Sequence, residues 1–400
     1  MKIKTIPTGW KEVKLGEIGK VSMCRRILKH QTSVEGEIPF YKIGTFGKQP
    51  DAYISKKVYK EFKEKYAFPK KGEILISASG TIGRTVVYDG NPAYFQDSNI
   101  IWLANDEAKA LNSFLVNCYK RVKWNTESGT IARLYNDNVR SKEVKLPPLA
   151  EQERIVAVLE TWDKMLEKLA RKIELKQAVK RGLMQQLLTG KRRLAGFTEE
   201  WQTVKLGDVA EFSKGKKLPK SELNSEAKYE AIHYGELFTK YSEKITTIFN
   251  RTNSNKKMKM SKKNDILMPT SDVTPRGLST ASFLNKSGVV LGGDILIIHP
   301  SERLNGLFFC YIVNLNKKEV IRLTSGTTVF HLYGSDMKKF RLNLPSLAEQ
   351  SAIAAILTTA DEEIEVLQAQ LALIEKQKQF LLNQLVTGEL RTPEDLMMFG

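Results

Sequence analysis

The chain has 400 residues, 42% of them hydrophobic, which is more than one ordinary domain needs and enough for buried cores. No apolar run reaches the roughly 18–20 residues of a membrane span, Met1–Pro7 lacks the apolar stretch of a secretory signal, and Cys24, Cys118 and Cys310 lie far apart, outside metal-ligand spacing. A cytoplasmic chain with plain buried thiols and no membrane contact is expected, and a net charge of +18 with pI near 9.5 points to a polyanionic partner.

The first element, Trp10-Lys-Glu-Val-Lys-Leu-Gly-Glu-Ile18, returns 191 residues later as Trp201-Gln-Thr-Val-Lys-Leu-Gly-Asp-Val209. Tyr41-Lys-Ile-Gly44 matches Ile232-His-Tyr-Gly235 at the same offset, and Gly72-Glu-Ile-Leu75 matches Asn264-Asp-Ile-Leu267 at 192. Ser128-Gly-Thr130 matches Ser325-Gly-Thr327 at 197. Leu146-Pro-Pro-Leu-Ala-Glu-Gln152 and Gln186-Leu-Leu-Thr-Gly190 return at 198 as Leu344-Pro-Ser-Leu-Ala-Glu-Gln350 and Gln384-Leu-Val-Thr-Gly388. The offset only grows, as it does when loops of a second copy gain a few residues. The chain is one unit written twice.

Within each copy, short apolar runs such as Glu73-Ile-Leu-Ile-Ser77 and Ile295-Leu-Ile-Ile298 are bounded by Gly, Pro, Asn and Asp and read as strands separated by turns. Each mixed part ends at a proline, and a long helix follows over about 150–188 and 348–386. Ile155, Leu159, Trp162, Leu166, Leu169, Ile173, Lys176, Lys180, Leu183 and Leu187 alternate in steps of four and three. Ile353, Leu357, Ala360, Ile364, Leu367, Leu371, Ile374, Lys378, Leu381 and Leu385 repeat that row, which is a coiled-coil seam. Gly190 and Gly388 supply stops. Gly182, inside the first helix, either permits a close contact or is simply tolerated at about 1 kcal/mol.

Charge predicts that the two helices run antiparallel. Residues 150–193 carry eleven basic and six acidic side chains, whereas 348–391 carry three basic and seven acidic. In a symmetric antiparallel register Lys176 to Arg181 lie beside Asp361, Glu362, Glu363 and Glu365, and Lys376 and Lys378 lie near Glu160 and Asp163. The expected fold is α+β, with boundaries 1–147, helix 148–190, 191–345, helix 346–390 and a tail 391–400.

Enzyme motifs fail one after another. Each Gly-Lys pair lacks the following Ser/Thr of a P-loop. Asn91-Pro-Ala-Tyr94 only faintly imitates an amino-methyltransferase motif and reads better as a turn. Asp51 with Glu61 imitates a nuclease cluster, but neither imitation recurs in the other copy. The four histidines have no partners at useful sequence spacing, so satisfied or exposed imidazoles are expected. What recurs is loop chemistry. Ser77-Ala-Ser-Gly-Thr-Ile-Gly-Arg84 has Pro269-Thr-Ser-Asp-Val-Thr-Pro-Arg-Gly277 as its counterpart. Hydroxyls, glycines and an arginine bring backbone amides to phosphates and a guanidinium to a base edge, or simply make a polar turn. The candidate DNA contacts are Lys42, Thr45, Ser77, Ser79, Gly80, Thr81, Arg84, Thr130 and Arg133 in copy one. In copy two they are Lys214, Lys216, Lys217, His233, Tyr234, Ser271, Thr274, Arg276, Thr327 and Thr328. Residues 214–263 hold thirteen Lys/Arg against five Asp/Glu, suited to phosphate contacts or solvated.

In this doubled order, Trp10…Leu-Gly-Glu17, Ser77-Ala-Ser-Gly-Thr-Ile-Gly83, Ser325-Gly-Thr…His-Leu-Tyr333, the two Leu-Pro-x-Leu-Ala-Glu-Gln segments and Gln186-Leu-Leu-Thr-Gly190 resemble the DNA specificity subunits of Type I restriction-modification systems over essentially the whole chain. The resemblance implies two tandem α/β target-recognition domains separated by two long antiparallel coiled-coil helices, related by a pseudo-two-fold axis. It implies that each domain reads one half of a split duplex DNA site. It also implies that the helices dock two methyltransferase subunits, with Trp162, Leu166, Leu169, Ile173, Ile364, Leu367, Leu371 and Ile374 as their candidate docking residues. S-adenosylmethionine, and ATP with Mg for the translocase-nuclease subunits, would then sit on partners, with no cofactor and no catalytic or metal residue on this chain. Pro269-Thr-Ser-Asp-Val-Thr274 departs from the glycine-rich loop of copy one. Two other readings stay open: a coiled-coil scaffold whose basic domains bind acidic proteins, and a self-sufficient DNA methyltransferase using Asn91 to Tyr94.

Overall fold

The computed structural model describes residues 6–124, 133–254 and 257–395. It divides into two compact units, Met1–Ala170 with Gln370–Gly400, and Arg171–Ala369. The first unit runs through β1 (Lys11–Lys14), β2 (Gly19–Met23), β3 (Ile38–Tyr41), β4 (Tyr53–Ile54), α1 (Lys56–Lys65), β5 (Ile74–Ser77), β6 (Thr85–Val87), β7 (Tyr94–Phe95), β8 (Ile100–Asn105), α2 (Asn112–Tyr119) and β9 (Glu143–Leu146) into α3 (Leu149–Leu187). The second follows with β10 (Gln202–Lys205), β11 (Ala210–Lys214), β12 (Tyr229–Ile232), β13 (Asn250–Thr252), β14 (Lys259–Met260), β15 (Asp265–Pro269), β16 (Ser271–Asp272), β17 (Ser282–Leu284), β18 (Val290–Leu291), β19 (Ile295–Pro300), α4 (Gly306–Leu315), β20 (Phe330–His331), β21 (Arg341–Leu344) and α5 (Leu347–Thr387).

The copies fold alike. The first unit has an antiparallel sheet β2-β8-β5-β6, a sheet β4-β3-β7 whose β3/β7 pair is parallel, and a β1/β9 ribbon. The second has β11-β19-β15-β17, β13-β12-β18-β14 with β12/β18 parallel, and β10/β21. Period-two alternation divides each apolar strand between two cores. Ile74, Ile76, Ile101 and Leu103 pack with Phe114, Leu115, Ile155, Leu159, Leu382 and Leu385. Leu75, Ile100 and Trp102, on the opposite face, pack with Phe40, Tyr59 and Tyr94. The second unit repeats this, Ile266, Met268 and Ile298 meeting Phe308, Phe309, Ile353 and Leu357, and Leu267 and Ile297 meeting Ile232 and Leu291. Each such fully buried aliphatic side chain contributes about 1.5–3 kcal/mol. Cys24, Cys118 and Cys310 are buried free thiols, and burial pushes the first two up to about 12.

The repeated motifs are structural locks at the helix starts. Gln152 is fully buried; its Oε1 accepts from Leu111 N at 2.8 Å and its Nε2 donates to Pro147 O at 3.0 Å. Gln350 does the same for Asn305 N at 2.9 Å and Pro345 O at 2.9 Å. The preceding glutamates bind a tryptophan and an arginine each. Glu151 accepts from Trp10 Nε1 at 3.1 Å and from Arg391 Nε and Nη2 at 2.6 and 2.7 Å. Glu349 accepts from Trp201 Nε1 at 3.1 Å and from Arg193 Nε and Nη2 at 2.7 and 2.8 Å.

Charge pairing within each unit follows the antiparallel register. In the second unit Lys176 Nζ lies 2.7 Å from Glu363 Oε1 and Lys180 Nζ 2.5 Å from Asp361 Oδ1, so α5 descends as α3 ascends. In the first unit Lys378 pairs with Asp163. Gly190 and Gly388 end the helices at φ +70° and +75°. A Cβ on Gly182 would meet nothing within 4 Å among the described residues, so no contact among them requires that glycine.

Candidate nucleic-acid interface

In the first unit the loop after β5 folds back on itself through Ser77. The Ser77 hydroxyl, only 1% exposed, donates to Thr81 O at 2.5 Å and accepts from Arg84 N at 2.9 Å. The expected phosphate contact is therefore not open to Ser77, whose polar capacity is spent on the loop. Gly83 makes the second bend at φ +82°, where a Cβ would strike Trp124 Cδ1 at 2.1 Å. Gly80 and Thr81 are left exposed at the tip. Ser79 is partly buried and donates to Asn99 Oδ1 at 2.8 Å. Arg84 reaches sideways, Nη1 donating to Phe46 O at 2.9 Å, and so ties the β5–β6 loop to the turn after β3.

That turn carries two more candidates. Thr45 Oγ1 accepts from Lys42 N at 3.1 Å and closes the turn, whereas Lys42 Nζ pairs with Asp51 Oδ1 at 2.9 Å on a half-exposed surface. Arg133 bridges to Ser79, and its Nη2 donates to the carbonyl of Ser98, a non-glycine residue at φ +54°. Lys42, Thr45, Ser79, Gly80, Thr81, Arg84 and Arg133 thus converge on one loop cluster. Thr130 lies outside the described residues. Two residues that organise the cluster are not marked by any local sequence pattern: Gln96, whose Oε1 accepts from Ile43 N at 2.9 Å, and Asn99.

The second unit builds its counterpart differently. Asp272 Oδ2 accepts from Thr274 Oγ1 at 2.8 Å and Oδ1 from Val273 N at 2.7 Å, so a carboxylate does the folding that Ser77 does in copy one. β16 pairs antiparallel with β20, Ser271 opposite His331. Arg276, Thr327 and Thr328 are exposed around this ribbon. Lys214 Nζ lies 3.4 Å from Asp294 Oδ1 beside a cleft of about 440 Å³ lined also by Thr270, His331 and Tyr333. Lys216 and Lys217 are exposed on a segment that hugs β18, where a Cβ on Gly215 would sit 1.8 Å from Gly292 O.

His233 is folded into its own turn. It is 8% exposed, its Nδ1 accepts from Gly235 N at 3.2 Å, and its own N–H donates to Glu236 Oε2 at 2.9 Å. Burial, aided by the Lys220 ammonium, holds the imidazole below the usual histidine range, and its Nδ1 is engaged in the turn. Tyr234, half-buried, packs between His233 and Phe238 with centroids 4.7 and 6.2 Å away.

The helix candidates differ in exposure. Ile173, Ile364 and Leu367 are buried, and Trp162, Leu166, Leu169, Leu371 and Ile374 are half-buried. A four-three row is the inward seam of a helix pair, and the buried members of the row lie in it while the half-buried ones keep part of their surface open. The exposed large apolar residues of the two helices are Met165, Leu175 and Val179 on α3 and Leu347, Ile356, Val366, Leu373 and Phe380 on α5.

One constellation was invisible to sequence spacing. Three strands of one sheet bring Ser213 Oγ to 2.8 Å from His299 Nε2 and His299 Nδ1 to 2.5 Å from Asp265 Oδ1. The Asp265 Oδ2 accepts from Lys262 N at 2.7 Å, as Glu73 Oε2 accepts from Lys70 N at 2.7 Å in the first unit. The acid's shared task is therefore to close a turn. Ala104 stands where copy two has His299, so the histidine is an addition to that task. The imitation motifs dissolve in the same way. Asn91 bonds the carboxylate of Asp89, Asp51 pairs with Lys42 and Glu61 with Lys65, and no cluster able to hold a metal occurs among the described residues. No helix among the described residues is long and apolar enough to cross a membrane.

Two modules of one plan, each with its own lining of hydroxyls and cations on the loops beyond its sheet, define a protein with two related but distinct recognition surfaces. A family model described as the Type I restriction modification DNA specificity domain matches residues 7–177 and again 198–376. The chain belongs to that family. It is 59% identical over 154 residues, 38% of its length, to a putative type I restriction enzyme specificity subunit of Haemophilus influenzae, and the match spans only 40% of that relative. It is 26% identical over 348 residues to the putative MjaX specificity subunit of Methanocaldococcus jannaschii, covering 80% of this chain and 79% of that one. Its fold is similar to the crystal structure of a Type I S subunit from M. genitalium, at TM-score 0.59 and 16% identity over 96% of this chain and 98% of that one. A structure described under complex assembly and conformational transition of the type I R-M system matches at TM-score 0.60 and 18% identity, over 96% and 100%. Neither the scaffold reading nor the self-sufficient methyltransferase finds support in these matches.

Proposed function

We propose that this chain is the site-choosing subunit of a type I restriction-modification complex and carries no catalytic centre of its own. Each unit reads one half of a bipartite double-stranded DNA sequence. The helices α3 and α5, of 39 and 41 residues, set the distance between the half-sites and dock two methyltransferase subunits through outward residues such as Leu175, Val179, Leu373 and Phe380. S-adenosylmethionine belongs to those partners, and ATP with Mg to translocase-nuclease subunits.

The observation that carries this reading is the doubling with divergence. The specificity model matches twice, while the loop is held by Ser77 in one copy and by Asp272 in the other. Two identical readers would need one lining; two half-sites of different sequence need two. The net charge of +18 supplies the sequence-independent part of binding.

The test is binding of the chain with its methyltransferase partners to duplexes carrying the site inferred from the host's methylated adenines. Specific, salt-sensitive binding to the bipartite duplex, lost when either half is scrambled, is the expected result. Equal affinity for all duplexes overturns the proposal, and methyl transfer by the purified chain alone overturns its non-catalytic part.

A further inference from the structure

Resting on that reading, we propose that Val273 and Val329 read thymine by its C5-methyl group in the half-site bound by the second unit. The argument begins with the β16/β20 ribbon. Its register sets Ser271 opposite His331 and Asp272 opposite Phe330, and Val273 and Val329 are the next residues beyond that pairing, one on each strand. Both are exposed, at 70% and 43%, and they lie together at one end of the ribbon, not scattered singly. The backbone around them is held in place. Val273 N is tied to Asp272 Oδ1 at 2.7 Å, and the neighbouring hairpin is cross-bonded from Ser325 N to His331 O at 3.0 Å and from His331 N to Ser325 O at 2.7 Å.

What covers this small apolar pair is indicated by its surroundings. Arg276, Thr327 and Thr328 lie exposed within three residues of the valines in sequence. A cation with hydroxyls suits a phosphate-lined groove better than an apolar protein face. The major groove of B-DNA admits a two-stranded ribbon, and the only apolar group displayed on its floor is the thymine methyl. A valine pair at the end of a ribbon is the matching chemistry. Polar contacts from Arg276 or Thr328 would orient the ribbon without discriminating that methyl.

The experiment uses the full chain with its methyltransferase partners and the half-site assigned from genomic methylation. Each thymine of the second unit's half-site, on either strand, is replaced in turn by deoxyuridine, which removes only the methyl group. Affinity is read by fluorescence anisotropy for the wild type and for Val273→Ala and Val329→Ala. One or two positions should lose about fourfold in the wild type, the transfer value of one buried carbon, and that loss should shrink below about twofold in at least one variant. Deoxyuridine in the other half-site should change nothing that these variants alter. Wild-type indifference to deoxyuridine throughout, undiminished discrimination in both variants, or a half-site containing no thymine overturns the inference. None of those results touches the specificity reading, which fails only if scrambled and cognate duplexes bind alike.

Discussion

Removing Arg193 should unfasten the second unit far more than an ordinary surface ion pair would. The Glu349 side chain is 1% exposed, while Arg193 is 29% exposed, and the two join through a bidentate contact beside the Trp201 indole. In Arg193→Ala the carboxylate stays buried with one remaining donor, Trp201 Nε1. Breaking such a pair from one side costs about 3–5 kcal/mol. The arginine side opens to solvent, so water relieves part of the burden and about 3 kcal/mol is the expected loss. Glu349→Gln keeps the shape and removes the charge, for about 1.5–3 kcal/mol. Arg193→Lys should not rescue, because an ammonium cannot reproduce the fork. Urea unfolding followed by hydrogen exchange and mass spectrometry reads β11, β15 and β19 separately from β2, β5 and β8, which matters because two units need not unfold as one. With an m-value of about 1–3 kcal/mol/M, the second unit's midpoint falls by about 1–3 M. Arg391→Ala should do the same to the first unit through Glu151. A loss below about 1 kcal/mol, the scale of an exposed pair, would show that the carboxylate is not isolated from water and refute the reasoning.

Lys216→Ala with Lys217→Ala should weaken binding evenly for cognate and scrambled duplexes and lower the salt slope by about 0.9 for each phosphate no longer neutralised; a change in sequence preference instead would make them base readers. Arg84→Ala should weaken the first half-site alone, by about 0.5–1.5 kcal/mol, because the loop loses its tie to Phe46 O, and equal weakening on every sequence would refute that role. Deleting seven residues from α3 and the seven facing them in α5 shortens each by about 10 Å, so the preferred spacer should shrink by about three base pairs; a selected site of unchanged spacing and affinity would refute the helices as its determinant. His233 is held below its unfolded value of about 6.5 by burial and Lys220, so below that pH the unfolded chain binds the extra proton and stability falls as pH falls. Melting the second unit at pH 7.5 and at pH 5 should show that fall. His233→Asn should flatten it, and an unchanged slope in the variant would assign it to other groups.

The fold was legible because its signals are periodic or repeated. The four-three row and the charge asymmetry predicted α3 and α5, their antiparallel course and pairs such as Lys378 with Asp163 and Lys176 with Glu363. The doubled Leu-Ala-Glu-Gln segments announced equivalent positions, although nothing in them says that Gln152 and Gln350 lock a turn while Glu151 and Glu349 hold an arginine and a tryptophan. That partnership joins residues about 140 to 240 positions apart, as with Glu151 to Trp10 and Arg391, and no local pattern spans such distances.

In the candidate site, residue type marked the loops but not the partner each side chain takes within them. Residue type said that Ser77, Ser79, Thr45 and Arg84 belong to DNA-facing loops, but a hydroxyl or guanidinium suited to a phosphate is equally suited to a carbonyl two loops away. Ser77 and Thr45 close their own turns, and Arg84 holds Phe46 O. A loop that reads DNA must first be rigid, so its best hydrogen-bonding groups are drawn inward to make it so. What stays exposed is Thr81 at the first tip, and Arg276, Thr328 and the two valines at the second. The same logic bears on the helices, because an apolar row regular enough to be seen in sequence is regular because it packs against another helix. Side chains that fall off the row, such as Val179 and Phe380, stay exposed and give sequence no period to find them by.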